Sequence, residues 1–252
     1  MYMGDNVRIL NYNVHLMHRE EYDKLIEQYF SEEKRVSMLF LSVKMLEYAM
    51  KNEEYFSMIG DFEYLFPGKK NILELKDYGD EQEQEYISGS GCLNDLLEYM
   101  EKHRLSLYLI GDQYDKCMNF LAYCKVNYSE LNIVGSYVID EKIEDAQLQN
   151  DMNSLCPDAV ITAIERGIQE DWLLNNLQKI NSQLFIGANV LVENVIQEFE
   201  EETREKKRSK LYNLYLIFKE MFSERLQMKN FHMDYDNYMK ELQVKEREQN
   251  DV

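Results

Sequence analysis

An amide and a carboxylate at adjacent positions, Gln169 and Glu170, have side chains that could hold a polar ligand. They follow an apolar run of strand length, residues 158–164, and begin a stretch of helical spacing. A second apolar run occupies residues 183–187. Two buried strands joined by a helix predict a right-handed parallel βαβ unit, and ligands of such sheets bind outside the carboxyl ends of the strands. Both side chains would lie there, although acidic and amide groups are also favoured at a helix N-terminus without any ligand.

Cysteine and histidine show no spacing typical of a catalytic or metal site. The four cysteines form no CxxC pair and no cluster with histidine, so we predict reduced thiols rather than a zinc site. His18, His103 and His232 stand among polar residues without a partner acid or thiol, and His15 lies in an apolar alternation that is typical of packing. We therefore predict neither a metal nor a cofactor, and we assign no histidine a catalytic role.

The composition bounds the class of protein. A chain of 252 residues with 45% hydrophobic content can bury a full core. Its formal net charge of −19 argues against a nucleic-acid partner, because phosphate contacts need local positive charge. The N-terminus has no pattern of a signal peptide, and no uncharged apolar run approaches the roughly 20 residues that a bilayer requires. We expect a cytoplasmic protein.

Apolar runs of strand length alternate with helical patterns over most of the chain. Residues 35–41 are strongly apolar and predict a central strand, and residues 105–110 predict a further strand. The alternation predicts an α/β fold, a Rossmann-like, mostly parallel sheet flanked by helices, with a helical C-terminal appendage. We predict a domain over residues 1–200, with an acidic and Gly/Ser-rich linker near residues 76–91, and the appendage over residues 201–252.

The start of the predicted appendage combines basic charge with an amphipathic pattern. Five basic residues in seven positions precede aromatic and aliphatic side chains at helical spacing. Such a segment can lie on an anionic membrane, where each nearby Lys or Arg contributes about 1 kcal/mol, or in a groove of a protein partner. Acidic residues immediately upstream weaken attraction to anionic lipid, so we favour contact with a protein. The candidate contact residues are Arg204, Lys206, Lys207, Arg208, Lys210, Tyr215, Phe218 and Phe222.

Three segments carry the most distinctive sequence patterns of the chain. The first, over residues 7–68, joins VRILNYNVHLMHREEYDKLI to RVSMLFLSVKMLEYAMKNEEYFSMIGDFEYLFPG. The second is LSLYLIGDQYDKCMNFLAYCKVNYSELNIVGSY, and the third is PDAVITAIERGIQEDW. In this order they resemble the WecG/TagA/CpsF family of bacterial glycosyltransferases. Gly111 and Gly135 fall on family glycines, and the third segment keeps the Pro-Asp, the Gln-Glu and the Trp of the family pattern. The resemblance extends to about residue 229 and implies the same Rossmann-like fold.

The resemblance also implies a chemistry. Members of the family are understood to transfer a sugar, typically N-acetylmannosamine, from a UDP donor to a lipid-linked acceptor with inversion, in the synthesis of teichoic acid or other surface polysaccharides. The reaction needs a carboxylate that takes the proton of the acceptor hydroxyl, and donors or positive charge on the departing pyrophosphate. By resemblance, the ligand-binding positions are Gln169, Glu170, Gly111 and Gly135, and the protein works at the inner face of the membrane.

The chain departs from the family pattern at the loops that face the ligand. The Pro-Asp-Gly of the family, whose aspartate is catalytic, aligns with Pro67-Gly68-Lys69, so Gly68 stands at the position of the carboxylate. The apolar strands stay intact, whereas several polar, glycine or proline positions are replaced. The replacing residues are Phe40, Ser42, Glu165, Gly167, Ala188 and Leu191, and Arg166 stands at the variable position between Glu165 and Gly167.

These departures predict a degenerate, non-catalytic member that acts as a partner or regulator in cell-surface glycan synthesis. Its partner would be a second copy or an active glycosyltransferase, with peripheral membrane contact as an addition. The alternative is an active inverting transferase that moves an N-acetylmannosamine-type sugar from a UDP donor, with Asp61 or Glu63 as the base. Both acids are otherwise ordinary surface residues in a chain with 47 of them. A plain nucleotide-binding module is a third interpretation.

Overall fold

One eight-stranded sheet orders the chain in the computed structural model, which describes residues 5–32, 34–76, 78–79, 84, 87–88, 90–139 and 145–205. Nine helices accompany the sheet within those ranges. The strands are β1 (Asp5–Ile9), β2 (Tyr12–Leu16), β3 (Val36–Leu41), β4 (Tyr64–Pro67), β5 (Ser106–Gly111), β6 (Asn132–Val138), β7 (Ala159–Ala163) and β8 (Leu184–Gly187). The helices are α1 (Arg19–Ser31), α2 (Val43–Ala49), α3 (Glu53–Gly60), α4 (Asn71–Glu74), α5 (Ser90–His103), α6 (Tyr114–Asn127), α7 (Asp145–Leu155), α8 (Ile168–Asn176) and α9 (Asn189–Glu205).

The strand order is β1-β2-β4-β3-β8-β7-β5-β6. β1 and β2 form an antiparallel hairpin at one edge, and every other pairing is parallel. β4 lies on one side of β3, next to the hairpin. β5 lies on the other side, beyond β8 and β7, so the direction in which successive strands are added to the sheet reverses after β4. The prediction of a Rossmann-like, mostly parallel α/β sheet is confirmed.

The central strands are mostly apolar because helices cover both faces of the sheet. Every residue of β3, β5, β7 and β8 is buried, including Ser37, Ser106 and Thr162, which explains why their sequences are near-continuous apolar runs rather than alternating ones. One core cluster joins one face to α1, α5, α6 and α9, and a second joins the other face to α2, α3, α7 and α8. The helices therefore all begin or end near the two rims of the sheet, where polar side chains can be exposed.

The predicted βαβ unit is present as β7, α8 and β8. β7 and β8 pair in parallel, with Ile161 opposite Ile186, and α8 crosses between them. Trp172 of α8 is 4% exposed and lies in the core cluster on that face. The carboxyl ends of both strands therefore point to the same rim of the sheet.

Two parts of the predicted domain organisation lie largely outside the described residues. In the stretch predicted to be a linker, Ile87 is buried with Leu16 and Leu73 in a small cluster, which its polar neighbours did not indicate. At the other end, α9 continues through the boundary predicted at residues 200 and 201. For Arg204 only the backbone is described, and the remaining candidate contact residues of the appendage lie outside the described part of the chain. They are Lys206, Lys207, Arg208, Lys210, Tyr215, Phe218 and Phe222.

Asp158 ties the amino end of β7 to that of β5. Its Oδ2 accepts hydrogen bonds from the Ser106 backbone N–H at 2.7 Å and from the Ser106 hydroxyl at 2.6 Å. The Ser106 Oγ in turn accepts a hydrogen bond from the Asp158 backbone N–H at 2.9 Å. The Pro-Asp pair kept by the resemblance therefore has a structural role, at the rim opposite the carboxyl ends of the strands.

We expect Asp158→Ala to lower the free energy of unfolding by about 2 kcal/mol, because it leaves two donors of Ser106 without their charged acceptor. Urea denaturation of both proteins measures the difference. Asp61→Ala, at an exposed position, is the control and should change stability by no more than about 0.5 kcal/mol. Equal midpoints for the two variants would contradict a structural role for Asp158.

Candidate functional site

A cleft of about 500 Å³ opens at the carboxyl ends of β3, β5, β7 and β8. Its walls are the starts of α2, α6, α8 and α9 together with the loop after β4. This is the rim at which the sequence predicted a ligand, and the cleft spans the point where the strand order reverses. Its volume lies within the roughly 300–1,000 Å³ typical of small-molecule sites.

Charged side chains of both signs line the cleft. Lys116 pairs with Asp112 at 2.5 Å and donates a hydrogen bond to Asn189 Oδ1 at 2.9 Å, which joins the start of α6 to the start of α9. The other lining cations are on exposed residues, and one of them, Arg166, has its guanidinium carbon 5.4 Å from the centre of the Tyr48 ring. These cations are Lys44, Lys69 and Arg166, and the remaining lining acids are Glu165 and Glu193.

Gln169 lies on the floor of the cleft, where it is 2% exposed. Its Oε1 accepts hydrogen bonds from the Thr162 hydroxyl at 3.2 Å and from the Asn189 backbone N–H at 3.3 Å. Its Nε2 donates to Glu170 Oε1 at 3.4 Å. The amide therefore connects β7, α8 and α9, and it fixes the geometry of the cleft from below. Its role in ligand binding stays a prediction.

Glu170 is fully buried below the cleft and is not one of its lining residues. Its Oε2 accepts a hydrogen bond from the Gly167 backbone N–H at 2.5 Å, in a capping box at the start of α8. Gly167 has a φ of 85°, a left-handed conformation that glycine adopts without strain. Burial raises the pKa of Glu170, and the charge of Glu170 contributes to a raised pKa of the nearby Tyr55 phenol. The observed contacts of Glu170 are those of a helix cap.

Neither Gly111 nor Gly135 has room for a side chain. A Cβ at Gly111, the last residue of β5, would lie 2.1 Å from Cys117 Sγ, so the glycine lets α6 pack closely on β5 next to the cleft. A Cβ at Gly135, inside β6, would lie 2.4 Å from a ring carbon of Tyr108. Neither glycine lines the cleft, and close packing accounts for both without a ligand.

Asp61 and Glu63 lie away from the cleft. Both precede β4, at the amino end of that strand, whereas the cleft is at its carboxyl end. Glu63 instead accepts a hydrogen bond from the Tyr29 hydroxyl. Neither carboxylate lines the cleft, so the structure gives no support to the alternative base, and that role stays a prediction.

The backbone of Gly68 is packed between Leu41 and Val190. Its N–H donates to the Leu41 carbonyl at 2.9 Å, which extends the pairing of β3 and β4. A Cβ at this position would lie 2.5 Å from Val190 Cγ1 and 2.6 Å from the Leu41 oxygen. A backbone oxygen cannot rotate away as a side chain can. No carboxylate can therefore be present at position 68 while β3, β4 and α9 keep this spacing.

Two other positions that depart from the family pattern have structural roles at the same place. Phe40 is 1% exposed, and its ring stacks on that of Phe66 with centroids 5.3 Å apart. The hydroxyl of Ser42 accepts a hydrogen bond from the Met45 backbone N–H at 3.3 Å and caps the start of α2. An aromatic pair and a helix cap thus occupy this wall of the cleft.

Several lining residues were missed by the sequence analysis. Asp112 and Lys116 follow β5, and Asn189 and Glu193 follow β8, and none of the four is a position that the family resemblance marked. The signal that could have identified them is positional, since both stretches come directly after buried parallel strands. Among the described residues, no group of three or more His, Cys, Asp or Glu is arranged to hold a metal ion.

The fold is a mostly parallel α/β sheet with a polar cleft across the carboxyl ends of its central strands. Proteins of this class bind small ligands at the point where the strand order reverses. Within that class, the model of the Glycosyl transferase WecG/TagA/CpsF family matches residues 7–195, which is most of the chain. The protein belongs to this family. No curated protein matches the chain. In the part of the chain that the structure describes, no helix combines the length and the apolar character needed to cross a bilayer.

We expect Gly68→Ala to lower the free energy of unfolding by about 1–3 kcal/mol, the usual cost of overpacking, because the new methyl group meets a backbone oxygen. Gly60→Ala is the matched control. A Cβ there has no atom within 4 Å, so the same change should be neutral or stabilising by up to about 1 kcal/mol. Thermal and urea denaturation of both variants provide the comparison, and equal stabilities would show that position 68 has room for a side chain.

The raised pKa of Glu170 predicts a distinct pH dependence of stability. The native state keeps the proton to a higher pH than the unfolded chain, whose carboxyl titrates near 4.5, so unfolding releases a proton and stability falls as pH rises above that value. Glu170→Gln keeps an acceptor for Gly167 and removes this loss. The difference in unfolding free energy between variant and wild type should grow with pH above about 4.5 and become constant once the carboxyl is also ionised in the native state. The same change at exposed Glu47 should produce no such trend. If the unfolding free energies of Glu170→Gln and of wild type changed with pH in the same way, a contribution of Glu170 to the pH dependence would be excluded.

Proposed function

We propose that the protein is a degenerate, non-catalytic member of its family, which acts as a partner or regulator in the synthesis of a cell-surface glycan. Its partner is a second copy of the chain or an active glycosyltransferase, and it works in the cytoplasm at the inner face of the membrane. The observation that carries the proposal is the closed position at Gly68, where the family pattern places a catalytic aspartate.

Two other acids of the cleft make contacts within it. Asp112 Oδ1 pairs with Lys116 at 2.5 Å, and Glu193 Oε1 accepts a hydrogen bond from Asn189 Nδ2 at 3.1 Å. Each carboxylate keeps a second oxygen that could accept a proton, so the proposal depends on Gly68 and on the turnover test below rather than on these contacts. Glu165 remains, on the exposed loop between β7 and α8, where its charge opposes that of a diphosphate.

The open cleft favours a second candidate, binding of a UDP-sugar without turnover. The exposed lining cations Lys44, Lys69 and Arg166 provide the positive charge that a diphosphate needs, and the floor at Gln169 is rigidly hydrogen-bonded. In this reading the ligand stabilises one conformation of the protein and is released unchanged. A regulator that senses the donor would behave in this way, so the two candidates are compatible.

The test combines binding and turnover on the full chain. We expect no UDP release and no transferred sugar when UDP-N-acetylmannosamine and a lipid-linked acceptor are incubated with the protein, as measured by a coupled UDP assay and mass spectrometry. Calorimetric binding of UDP-N-acetylmannosamine, weakened about tenfold by Lys69→Ala through loss of one charged contact, would support the second candidate. Turnover that disappears in Glu165→Gln but persists in the exposed control Glu47→Gln would refute the non-catalytic proposal and identify the base.

A further inference from the structure

We propose that Lys116 binds a phosphate group of the ligand deep in the cleft, and that Asp112 occupies this position until the ligand displaces it. The inference rests on the second candidate under the proposed function, binding of a diphosphate ligand in the cleft, and it names the contact that sets the affinity. The family resemblance marks neither residue. Only the folded structure identifies them, because both line the same cleft.

Lys116 is the least exposed of the cations that line the cleft in the described part of the chain. Only 10% of its side chain is accessible, whereas Lys44, Lys69 and Arg166 are exposed residues. A lysine is almost never buried to this extent unless its ammonium group has a partner. A ligand that enters past the exposed cations therefore meets a further positive charge inside the cleft.

The floor of the cleft holds Lys116 in place through Asn189. The Lys116 Nζ donates a hydrogen bond to Asn189 Oδ1 at 2.9 Å, and the Asn189 backbone N–H donates to Gln169 Oε1 at 3.3 Å. The ammonium group is thus connected to a buried amide, and this connection does not involve Asp112. An ammonium group has three N–H donors, and Asn189 uses one of them. The others are available to Asp112 or to an oxygen of a ligand.

Asp112 is held to Lys116 by charge rather than by a directed hydrogen bond. Its Oδ1 lies 2.5 Å from the Lys116 Nζ, yet this buried oxygen accepts no hydrogen bond of normal angles from the residues that the structure describes. The Asp112 side chain is 22% exposed and lies between the end of β5 and the start of α6. A rotation of the side chain therefore moves the carboxylate toward solvent without a change in either element.

A diphosphate is a stronger partner for Lys116 than Asp112 is. It carries more negative charge than a single carboxylate, so its Coulomb attraction to the ammonium group is larger at the same distance. Its remaining oxygens can face the exposed cations of the cleft, which Asp112 cannot reach at the same time. Because Asp112 must first be displaced, the chain contains its own competitor for the ligand, and this competition lowers the affinity.

Calorimetric titration of the full chain with inorganic pyrophosphate, UDP and UDP-N-acetylmannosamine tests the exchange. Lys116→Met, which keeps the apolar stem, should weaken binding of all three about tenfold through loss of one charged contact. Asp112→Asn should strengthen it about fivefold because the competitor loses its charge. Glu165→Gln is the matched control. It removes one negative charge from an exposed lining residue, and its gain should stay below about twofold.

The opposite directions of the two effects separate a ligand contact from a structural ion pair, since loss of a structural pair would weaken binding in both variants. In a chain that already carries Lys116→Met, Asp112→Asn should give no more than the gain of Glu165→Gln. A larger gain there would overturn the inference, and so would an Asp112→Asn protein that binds pyrophosphate no more tightly than Glu165→Gln does. Thermal denaturation of each variant confirms that the fold is kept.

The proposed function fails on different results. Turnover of UDP-N-acetylmannosamine would refute the non-catalytic proposal and would leave the contact with Lys116 unaffected. Binding that Lys69→Ala weakens, but that Lys116→Met and Asp112→Asn leave unchanged, would keep the second candidate and overturn the exchange. Effects confined to UDP-N-acetylmannosamine would place Lys116 at the sugar rather than at a phosphate, which also overturns it, as would absence of binding of every probe to every variant.

Discussion

Burial of the central strands on both faces is the constraint on which the rest of the structure depends. β3, β8, β7 and β5 have no face toward solvent, so most of their side chains are apolar and their backbone groups must pair with one another. The buried polar ones, Ser37, Ser106 and Thr162, are hydrogen-bonded. Charged side chains can then appear only at the two rims of the sheet. At one rim Asp158 joins β7 to β5, and at the other the helices begin around the cleft. The rim at Asp158 therefore contributes to stability, and the opposite rim is the one that can contact a ligand.

The cleft retains the shape of a ligand site while its polar groups are largely committed to one another. Gln169 bridges β7 and α9, Glu170 caps α8, and Lys116 is held by Asp112 and Asn189. Such a network is rigid because each member satisfies its neighbour. Exposed cations stand at the mouth above this network, where the proposed function places the diphosphate of a ligand. Binding requires charge and shape, whereas transfer requires in addition a base at the acceptor hydroxyl.

The sequence predicted the sheet and the rim of the site because both follow from burial. The apolar runs at residues 158–164 and 183–187 became β7 and β8, and the rule for parallel strands placed Gln169 beside the cleft. Asp61 and Glu63 are close to Gly68 in the chain, but not in the fold. The extended strand β4 lies between them and the cleft, and at about 3.3 Å per residue its four residues span roughly 13 Å.

The lining residues that were missed come from segments far apart in sequence, and only the folded topology brings them together. Lys116 and Asn189 are separated by 73 positions, yet they share a hydrogen bond. Ile87 was missed for a different reason. It is a single buried apolar residue among polar neighbours, so it produces no periodic pattern. Patterns within one element can be inferred from periodicity, whereas a contact between elements requires the order of the strands.

The close contact at Gly68 has an evolutionary consequence. Because Leu41 and Val190 occupy the space that a side chain would need, a carboxylate at position 68 requires β3, β4 and α9 to separate together. A substitution at Gly68 alone would therefore lower stability before it could add chemistry. If the protein is non-catalytic as proposed, a variant selected for sugar transfer would have to take its base from a different part of the rim.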